Sequence, residues 1–505
     1  MRDRHWLRWA SVFGLGVVLR LLLWGGYGLG DDPNYFSAYS SIYRNGTYSP
    51  LDPYQMRFGI WAPVVVAMKL FGPTEAGFVG AITVASIVNL VLVYLLARQE
   101  WNDRRIALVA MLLLAVCPLD VLCAGLFAND MILATYCFAA LWVFRRSLRD
   151  DVTAAGRTVA AVATGVFLLC AFVAKPWVSL VAPLFVVEAA WRWRARWPSV
   201  VTAAASTALC VGAYCAWQWK RFGDPLYHVN VSRPFAIFVP YSREIMLDYV
   251  RMLFRPNDYG ALFAGYYPHA LLVLAALFVR RLGAAGKWLG YTALILAGLT
   301  ALPAGRVDGR WVTLVPHIFR YLALATLPLC LALTAYAREL LCRRWDAGAV
   351  LVAGFALLAI VQSVHVTEPT RDAYGEQRRA LAFVRAFPDA KVWADGGIGS
   401  RFINFELRGA HFERFGSIRS ENPPGRAAEY SAIPGGVVIT GGARNPWYNC
   451  FPCGGNLDRY TPPSTWTLLA TFDGARAAYR PEPLRIWRVA TRAETKTGPE
   501  VGTRP

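Results

Sequence analysis

Charge is scarce in this 505-residue chain. Only 17% of its residues are Asp, Glu, Lys or Arg, while 56% are hydrophobic and the mean hydropathy is +0.35. Soluble domains carry about 25% charged residues, so an ordinary soluble globular protein is excluded. Acidic residues are the fewest, 33 against 52 basic, leaving a formal charge of +19. In a soluble chain that excess would point to nucleic acid. Here the arginines stand in short clusters between apolar runs, as cytoplasmic anchors of membrane helices do, and no nucleic-acid partner is expected. Histidine is also rare. His228, His269, His317 and His365 show no ligand spacing, which argues against a histidine metal site. Most cysteines lie in apolar runs as small packing residues; Cys450 and Cys453 stand apart in a polar stretch. One such pair cannot supply four zinc ligands; if the region is extracytoplasmic, a local disulfide is favoured and free thiols come next. No internal repeat is visible, which excludes a solenoid.

Long apolar runs are what the chain does have. A spanning helix needs about 20 mostly apolar residues. Runs near 7–29, 76–97, 106–122, 130–144, 158–174, 176–190, 199–217, 262–279, 288–303, 319–336 and 348–365 predict an α-helical polytopic membrane protein of about eleven spans. Arg2, Arg4 and Arg8 before the first run resemble a signal peptide. The run is too long for one, however, and no small-residue cleavage pattern precedes Asp31, so it reads as a retained anchor.

Arginine clusters fall on every second connection: Arg98/Arg104/Arg105, Arg145/Arg146/Arg149, Arg192/Arg194/Arg196, Arg280/Arg281/Lys287 and Arg338/Arg343/Arg344. The positive-inside rule assigns these to the cytoplasm, along with the N-terminus. The acidic loop 30–61, the turn ending at Asp130, the turn at Lys175, the loop 218–260 and the stretch 304–318 then lie outside. Residues 1–369 form the membrane module. After it, helical spacing over 371–387 and short strands at Val392–Ala394, Val437–Ile439, Trp466–Phe472 and Leu484–Val489 predict a small extracytoplasmic α/β domain over 370–491. A disordered tail is expected over 492–505.

The acidic loop is the chemically richest stretch. Asp31 and Asp32 stand where the first apolar run stops, and lipid cannot hide an ionised carboxylate. One of them can accept the proton of an attacking hydroxyl; Asp before Pro33 is also a good helix start, and one residue can serve each role. Asp130, in Phe127-Ala128-Asn129-Asp130, puts another carboxylate at the same face, and it too could begin a helix. Two carboxylates there could share a proton, position an acceptor or hold a divalent cation. Outer basic residues run against the positive-inside rule. Arg57, Lys175 and Arg320, nearest the membrane ends, are the candidates for holding a phosphate. For the basic residues of the long outer loop, contact with lipid headgroups is an equal reading.

An acidic pair after the first span, a second Asp at the next outer turn, and Arg320-Tyr321-Leu322 opening a late span before Leu327-Pro328-Leu329 form a recognisable set. In order and membrane phase it resembles the polytopic GT-C glycosyltransferases. The likeness is to the bacterial branch related to protein O-mannosyltransferases and the lipid A aminoarabinose transferase, and it covers roughly residues 7–370. It departs in two places. Many of these proteins read Asp-Glu where this chain has Asp31-Asp32, and the acidic-basic pair that closes the first loop of aminoarabinose transferases is here Gln55-Met56-Arg57, with only the basic residue kept. The Trp-Trp-Asp signature of oligosaccharyltransferases is absent.

The resemblance implies a multi-pass enzyme of the bacterial inner (plasma) membrane with a periplasmic C-terminal domain. It would transfer sugar from a polyprenyl-phosphate-linked donor (undecaprenyl phosphate in bacteria) to a hydroxyl acceptor, whether glycan, glycolipid or protein. Asp31 is the favoured base, Asp32 and Asp130 complete the catalytic set, and Arg57, Lys175 and Arg320 hold the leaving lipid phosphate. Membrane lipid is the medium; no cofactor is called for, and a divalent cation stays open. A ligase using a diphosphate donor, a polytopic lipid or sugar transporter, and an assembly protein are the competing readings.

Overall fold

The membrane module folds as helices at nearly all the places where apolar runs lead one to expect them. In the computed structural model of the chain, the described residues are 2–27, 32–46, 48–49, 51–231, 239–240, 283–301, 303–307, 310–313, 319–343, 345–394, 402–406, 412–417, 433, 435–440, 462–472 and 483–490. Asp31, the expected span 262–279, the Cys450–Cys453 pair and the tail from Arg492 lie outside them. The helices are α1 (Arg2–Leu22), α2 (Asp32–Asn45), α3 (Phe58–Phe71), α4 (Glu75–Trp101), α5 (Arg104–Ala115), α6 (Pro118–Ala124), α7 (Asp130–Ser147), α8 (Ala154–Ala174), α9 (Ala182–Phe222), α10 (Gly283–Ala301), α11 (Ala323–Arg343) and α12 (Trp345–Val384).

Among the described residues, five stretches are long and apolar enough to cross a membrane: Glu75–Trp101, Ala154–Ala174, Pro176–Phe222, Arg320–Cys342 and Asp346–Glu368. The bent pair α5–α6 makes a sixth if it counts as one span. The predicted spans at α1, α7 and α10 are helical, but α1 carries Arg2, Arg4, Arg8 and Arg20, and α7 carries Asp130, Arg145 and Arg146. The two expected spans 176–190 and 199–217 form one helical run, interrupted at Arg196 (φ −137°, ψ 22°) just before Pro198. Their contacts run in opposite directions. Phe185 and Glu188 descend along α7 to Phe144 and Arg145, whereas Ser206 and Tyr214 climb α8 past Val162 and Phe172.

Helix α3 has no counterpart among the predicted spans. It starts against the last turn of α8, where a side chain on Gly59 would strike Ala174, and ends beside Gly77 in the first turn of α4. Both of its ends therefore lie at one end of the bundle, and its 14 residues run along that end without crossing.

Two ends of the bundle can be told apart by what meets there. At one, Asp130, Lys175 and Arg320 converge. At the other, Glu100 and Glu188 pair with Arg145 and Lys287, bringing together α4, α7, α9 and α10. Helix α7, with Asp130 at its start and Arg145 at its finish, connects the two.

Helix α12 is continuous over 40 residues, joining the expected span 348–365 to the expected helix near 371–387. At 1.5 Å per residue it is about 60 Å long, twice the hydrocarbon thickness of about 30 Å. Its C-terminal turns pack Ala380, Leu381 and Val384 onto a five-stranded sheet. That sheet has the order β5-β4-β6-β8-β7, with β4 (Val392–Ala394) parallel to β5 (Phe415–Ser417) and β6 (Gly436–Thr440), and β8 (Leu484–Val489) antiparallel to β6 and β7 (Thr467–Phe472). Four of these strands lie where the sequence places them; β5 was not foreseen. A smaller antiparallel sheet joins β1 (Val239–Pro240), β3 (Arg310–Thr313) and β2 (Pro303–Val307), tying together two connections expected on the same face.

The expected span 106–122 is broken, with α5 and α6 meeting at 61°. Pro118 opens α6 and has no N–H to give back to α5. At the far end of α6, the Gly125 carbonyl accepts the N–H groups of Gly25 (3.0 Å) and Gly26 (2.6 Å). The chain leaving α1 is thereby bound to the turn that leads to Asp130. The approach needs a glycine: a Cβ on Gly125 would meet Gly25 N at 3.0 Å, Trp24 Cα at 3.1 Å and Leu23 O at 3.2 Å, all backbone atoms. Gly125→Ala should lower stability by about 1–3 kcal/mol, read as an earlier melt in detergent. Gly212→Ala, which has nothing within 4 Å of its Cβ, is the control and should melt like the native chain.

Candidate functional site

Asp130 is the first residue of α7, and Asn129 before it makes no side-chain cap. The carboxylate does not cap the helix, which was one expectation for it. One oxygen accepts a hydrogen bond from Lys175 Nζ at 2.7 Å, and the other faces Arg320 Nε at 3.5 Å. Asp130 is 1% exposed and Lys175 4% exposed. Each comes from a different hairpin. Lys175 is held at the end of α8, where its extended backbone and Pro176 stop the helix. Arg320 belongs to a short 3-10 turn, Phe319–Leu322, that leads into α11.

Aromatic rings wall this triad. Lys175 Nζ lies 5.4 Å from the centre of the Tyr321 ring and the Arg320 guanidinium 5.7 Å from it, while Trp177 stacks on Tyr321 at 5.4 Å. Such faces attract cations without supplying a counter-charge. Arg57 arrives just before α3, whose Gly59 is pressed against Ala174, one residue from Lys175. Arg57 donates a hydrogen bond to the Tyr35 hydroxyl and lies over the Tyr35 and Tyr54 rings at 5.5 and 5.8 Å.

Burial pushes the Lys175 ammonium down to about 7; Asp130 opposes this, while Arg320 and then Arg57 add to it. The desolvated ammonium is thus held charged by one carboxylate against two neighbouring cations.

The structure brings Arg57, Asp130, Lys175 and Arg320 together as the sequence suggested. Asp32 begins α2, as expected, and is buried. Tyr35 and Tyr39, one and two turns on, pack against Phe127 in the turn before Asp130. Asp31, favoured as the base, lies outside the described residues. A metal site at Asp130 does not fit its surroundings, because both oxygens face cations. Among the described residues no group of three or more His, Cys, Asp or Glu could hold an ion.

Several supporting residues escaped the sequence reading. Tyr35, Tyr54, Trp177 and Tyr321 carry no signal separating them from the other boundary aromatics. Arg20, Asp120 and Glu188 did carry one, since each is a charge inside an apolar run. The segment leading to Asp31 and Asp32 is held from two further sides. Arg378 of α12 bonds the Gly25 carbonyl and pairs with Glu75, whose carboxylate accepts the Tyr27 N–H at 2.6 Å. Phe405 packs edge-on against Tyr27 and Phe36 at 4.7 and 4.8 Å.

The fold has solved counterparts. The chain superposes on ArnT from Cupriavidus metallidurans in the apo state with a TM-score of 0.54, at 13% identity, covering 99% of this chain and 100% of that one. The same protein bound to undecaprenyl phosphate gives 0.54 at 14% identity, covering 97% and 99%. The chain therefore shares its fold with ArnT. Residues 62–217 match the family described as dolichyl-phosphate-mannose-protein mannosyltransferase. They run from within α3 to late in α9, and so include two residues of the buried cluster, Asp130 and Lys175. No curated protein matches the chain in sequence.

If Asp130 is what keeps Lys175 charged, Asp130→Asn should move the Lys175 titration to lower pH. Carbon-13 NMR of lysine-labelled protein in detergent, with Lys175→Met to assign the signal, would read it. An unmoved titration would show that burial and the arginines alone set the value.

Proposed function

We propose that this chain is an inverting glycosyltransferase that moves a sugar from a polyprenyl-phosphate-linked donor to a hydroxyl acceptor at the outer face of the bacterial inner membrane. The convergence of Lys175, Arg320 and Arg57 on the buried end of α7 carries the reading. Positive charge gathered in a dry site is suited to a phosphate leaving group. The GT-C fold, shared with a protein solved with undecaprenyl phosphate bound, supports the same ligand class.

In the reaction, Asp31 takes the proton of the acceptor hydroxyl as its oxygen bonds to the anomeric carbon. The bond from that carbon to the phosphate oxygen breaks on the opposite side, inverting the centre. The electron pair stays with the lipid phosphate, which needs no proton to leave at neutral pH and rests against Arg57, Lys175 and Arg320. Asp130 orients two of these cations, and Asp32, buried at the start of α2, stands second in line as base. The topology proposed is about eleven spans with the N-terminus cytoplasmic. The sheet-bearing domain of 370–491 then lies outside, where it can admit or orient a glycan, glycolipid or protein acceptor.

Purified protein in liposomes, given a panel of polyprenyl-phosphate sugars and cell-envelope extract, should release lipid phosphate from one of them. Asp31→Asn should reduce turnover about a hundredfold or more without unfolding the protein. Release of a diphosphate would favour the ligase. No turnover of any donor would overturn the proposal in favour of transport or assembly.

Binding should also depend on pH. In the ligand-free protein Lys175 is charged below about 7 and neutral above it, so a bound phosphate must draw in a proton at higher pH. Undecaprenyl-phosphate affinity should therefore fall as pH rises past that point, by about tenfold per unit at most. Lys175→Arg should flatten the profile. A native profile that is flat between pH 6 and 9 would show that Lys175 does not hold the phosphate.

A further inference from the structure

Among the described residues Arg20 is the most deeply buried cation, with no exposed surface, although it sits in the expected first span. Its guanidinium makes five hydrogen bonds, matching its five N–H donors. Nε donates to Ser86 Oγ (2.6 Å), Nη1 to the carbonyls of Gly16 (2.9 Å) and Ala115 (3.2 Å), and Nη2 to the carbonyl of Leu114 (3.3 Å) and to Asp120 Oδ1 (2.5 Å). Leu114 and Ala115 are the last residues of α5, where the 61° break removes the usual i+4 donors; the Leu114 carbonyl keeps the Cys117 N–H at 3.2 Å. The next carbonyl, of Val116, accepts the Ser363 hydroxyl of α12 at 3.2 Å. At the other end of α6, Thr83 bonds the Ala124 carbonyl at 2.8 Å, and the Gly125 carbonyl takes Gly25 and Gly26. In hydrocarbon a freed carbonyl costs several kcal/mol unless a neighbour meets it.

We propose that Arg20 is a positioning residue for the transfer reaction: by stitching α1 to both sides of the α5–α6 break, it fixes the tilt of α6. That tilt sets the turn before Asp130 and the Gly25–Gly26 segment after α1 at one separation, and with them the approach to the start of α2. The inference rests on the proposed glycosyl transfer. A buried ion pair could instead be a simple stabiliser, but then its fork would need to reach only Asp120. Here two of its bonds go to the broken backbone.

Removing one partner would leave the other charge buried alone, so single variants could fail to fold. Arg20→Met with Asp120→Leu removes both charges, a change that is often neutral for stability, while leaving the Ala115 carbonyl unmet and the Leu114 carbonyl with only the Cys117 N–H. The expected result is a folded protein that melts earlier than native but binds undecaprenyl phosphate normally, with kcat lowered about tenfold to a hundredfold and the donor KM little changed. Arg20→Lys keeps a charge opposite Asp120 but lacks the fork, and should show the same loss in kcat. A folded double variant with native kcat, or one whose donor KM alone rises, would overturn the proposal.

A readout that needs no turnover separates this inference from the function it rests on. Cys123, native and fully buried in α6, should be alkylated by N-ethylmaleimide faster in the double variant, as mapped by mass spectrometry. If the native chain transfers no sugar, the glycosyltransferase reading fails. Faster labelling would then still show that Arg20 fixes α6, and unchanged labelling would overturn that as well.

Discussion

One carboxylate with two cations, buried where three hairpins meet, is the constraint on which the site depends. Asp130 comes from the start of α7, Lys175 from the end of α8 and Arg320 from the turn into α11. Removing ionised groups from water is costly, so their attraction must be met by good geometry. That requirement locks the three connections into register. The lysine bears the strain most visibly, sitting near neutrality where the same group in water would be charged through the physiological range. Electrostatic preorganisation of this kind is useful in catalysis because the charges need not be gathered when the leaving group departs.

The bundle's two ends solve similar electrostatic problems for different purposes. At the end away from the site, Glu100 and Glu188 meet Arg145 and Lys287 in a matched set of two acids and two bases. That set closes on itself and joins four helices. At the site end the basic groups converge on Asp130, with aromatic faces filling the wall. The first arrangement closes on itself; the second leaves two cations sharing one carboxylate.

Much of this was legible in the sequence. The phase of the arginine clusters divides the connections into two sets by a strong local rule, and among the described residues Asp130, Lys175 and Arg320 meet at one end of the bundle and Arg145 and Lys287 at the other. Arg57, Lys175 and Arg320 stood out because they broke that rule, and they do come together with Asp130. The aromatic wall was not legible, since Tyr and Trp are common at every membrane boundary and only tertiary packing selects Tyr35 or Tyr321. The run 106–122 was read as one straight span because its apolar composition outweighs a single proline at 118. Arg20 and Asp120 were passed over by counting charges along runs when their isolation was the informative feature. Helix α3 is hidden in the sequence because its 14 residues are too few to cross and follow directly on the acidic loop. The division of α12 into span and separate helix failed for another reason: a change from apolar to polar side chains marks where lipid ends, and nothing in it requires the backbone to stop.

That last feature makes α12 a gear as well as a strut. Between the bundle and the sheet it is an uninterrupted helix, so the direction in which the sheet faces follows from the number of residues in the shaft. Each residue added or removed would turn the sheet by about 100° and move it about 1.5 Å. Arg378 on Glu75 and Phe405 against Tyr27 and Phe36 engage at only one such setting. In this stretch the chain therefore has an angular register, and whatever the sheet presents to the site is selected by counting turns.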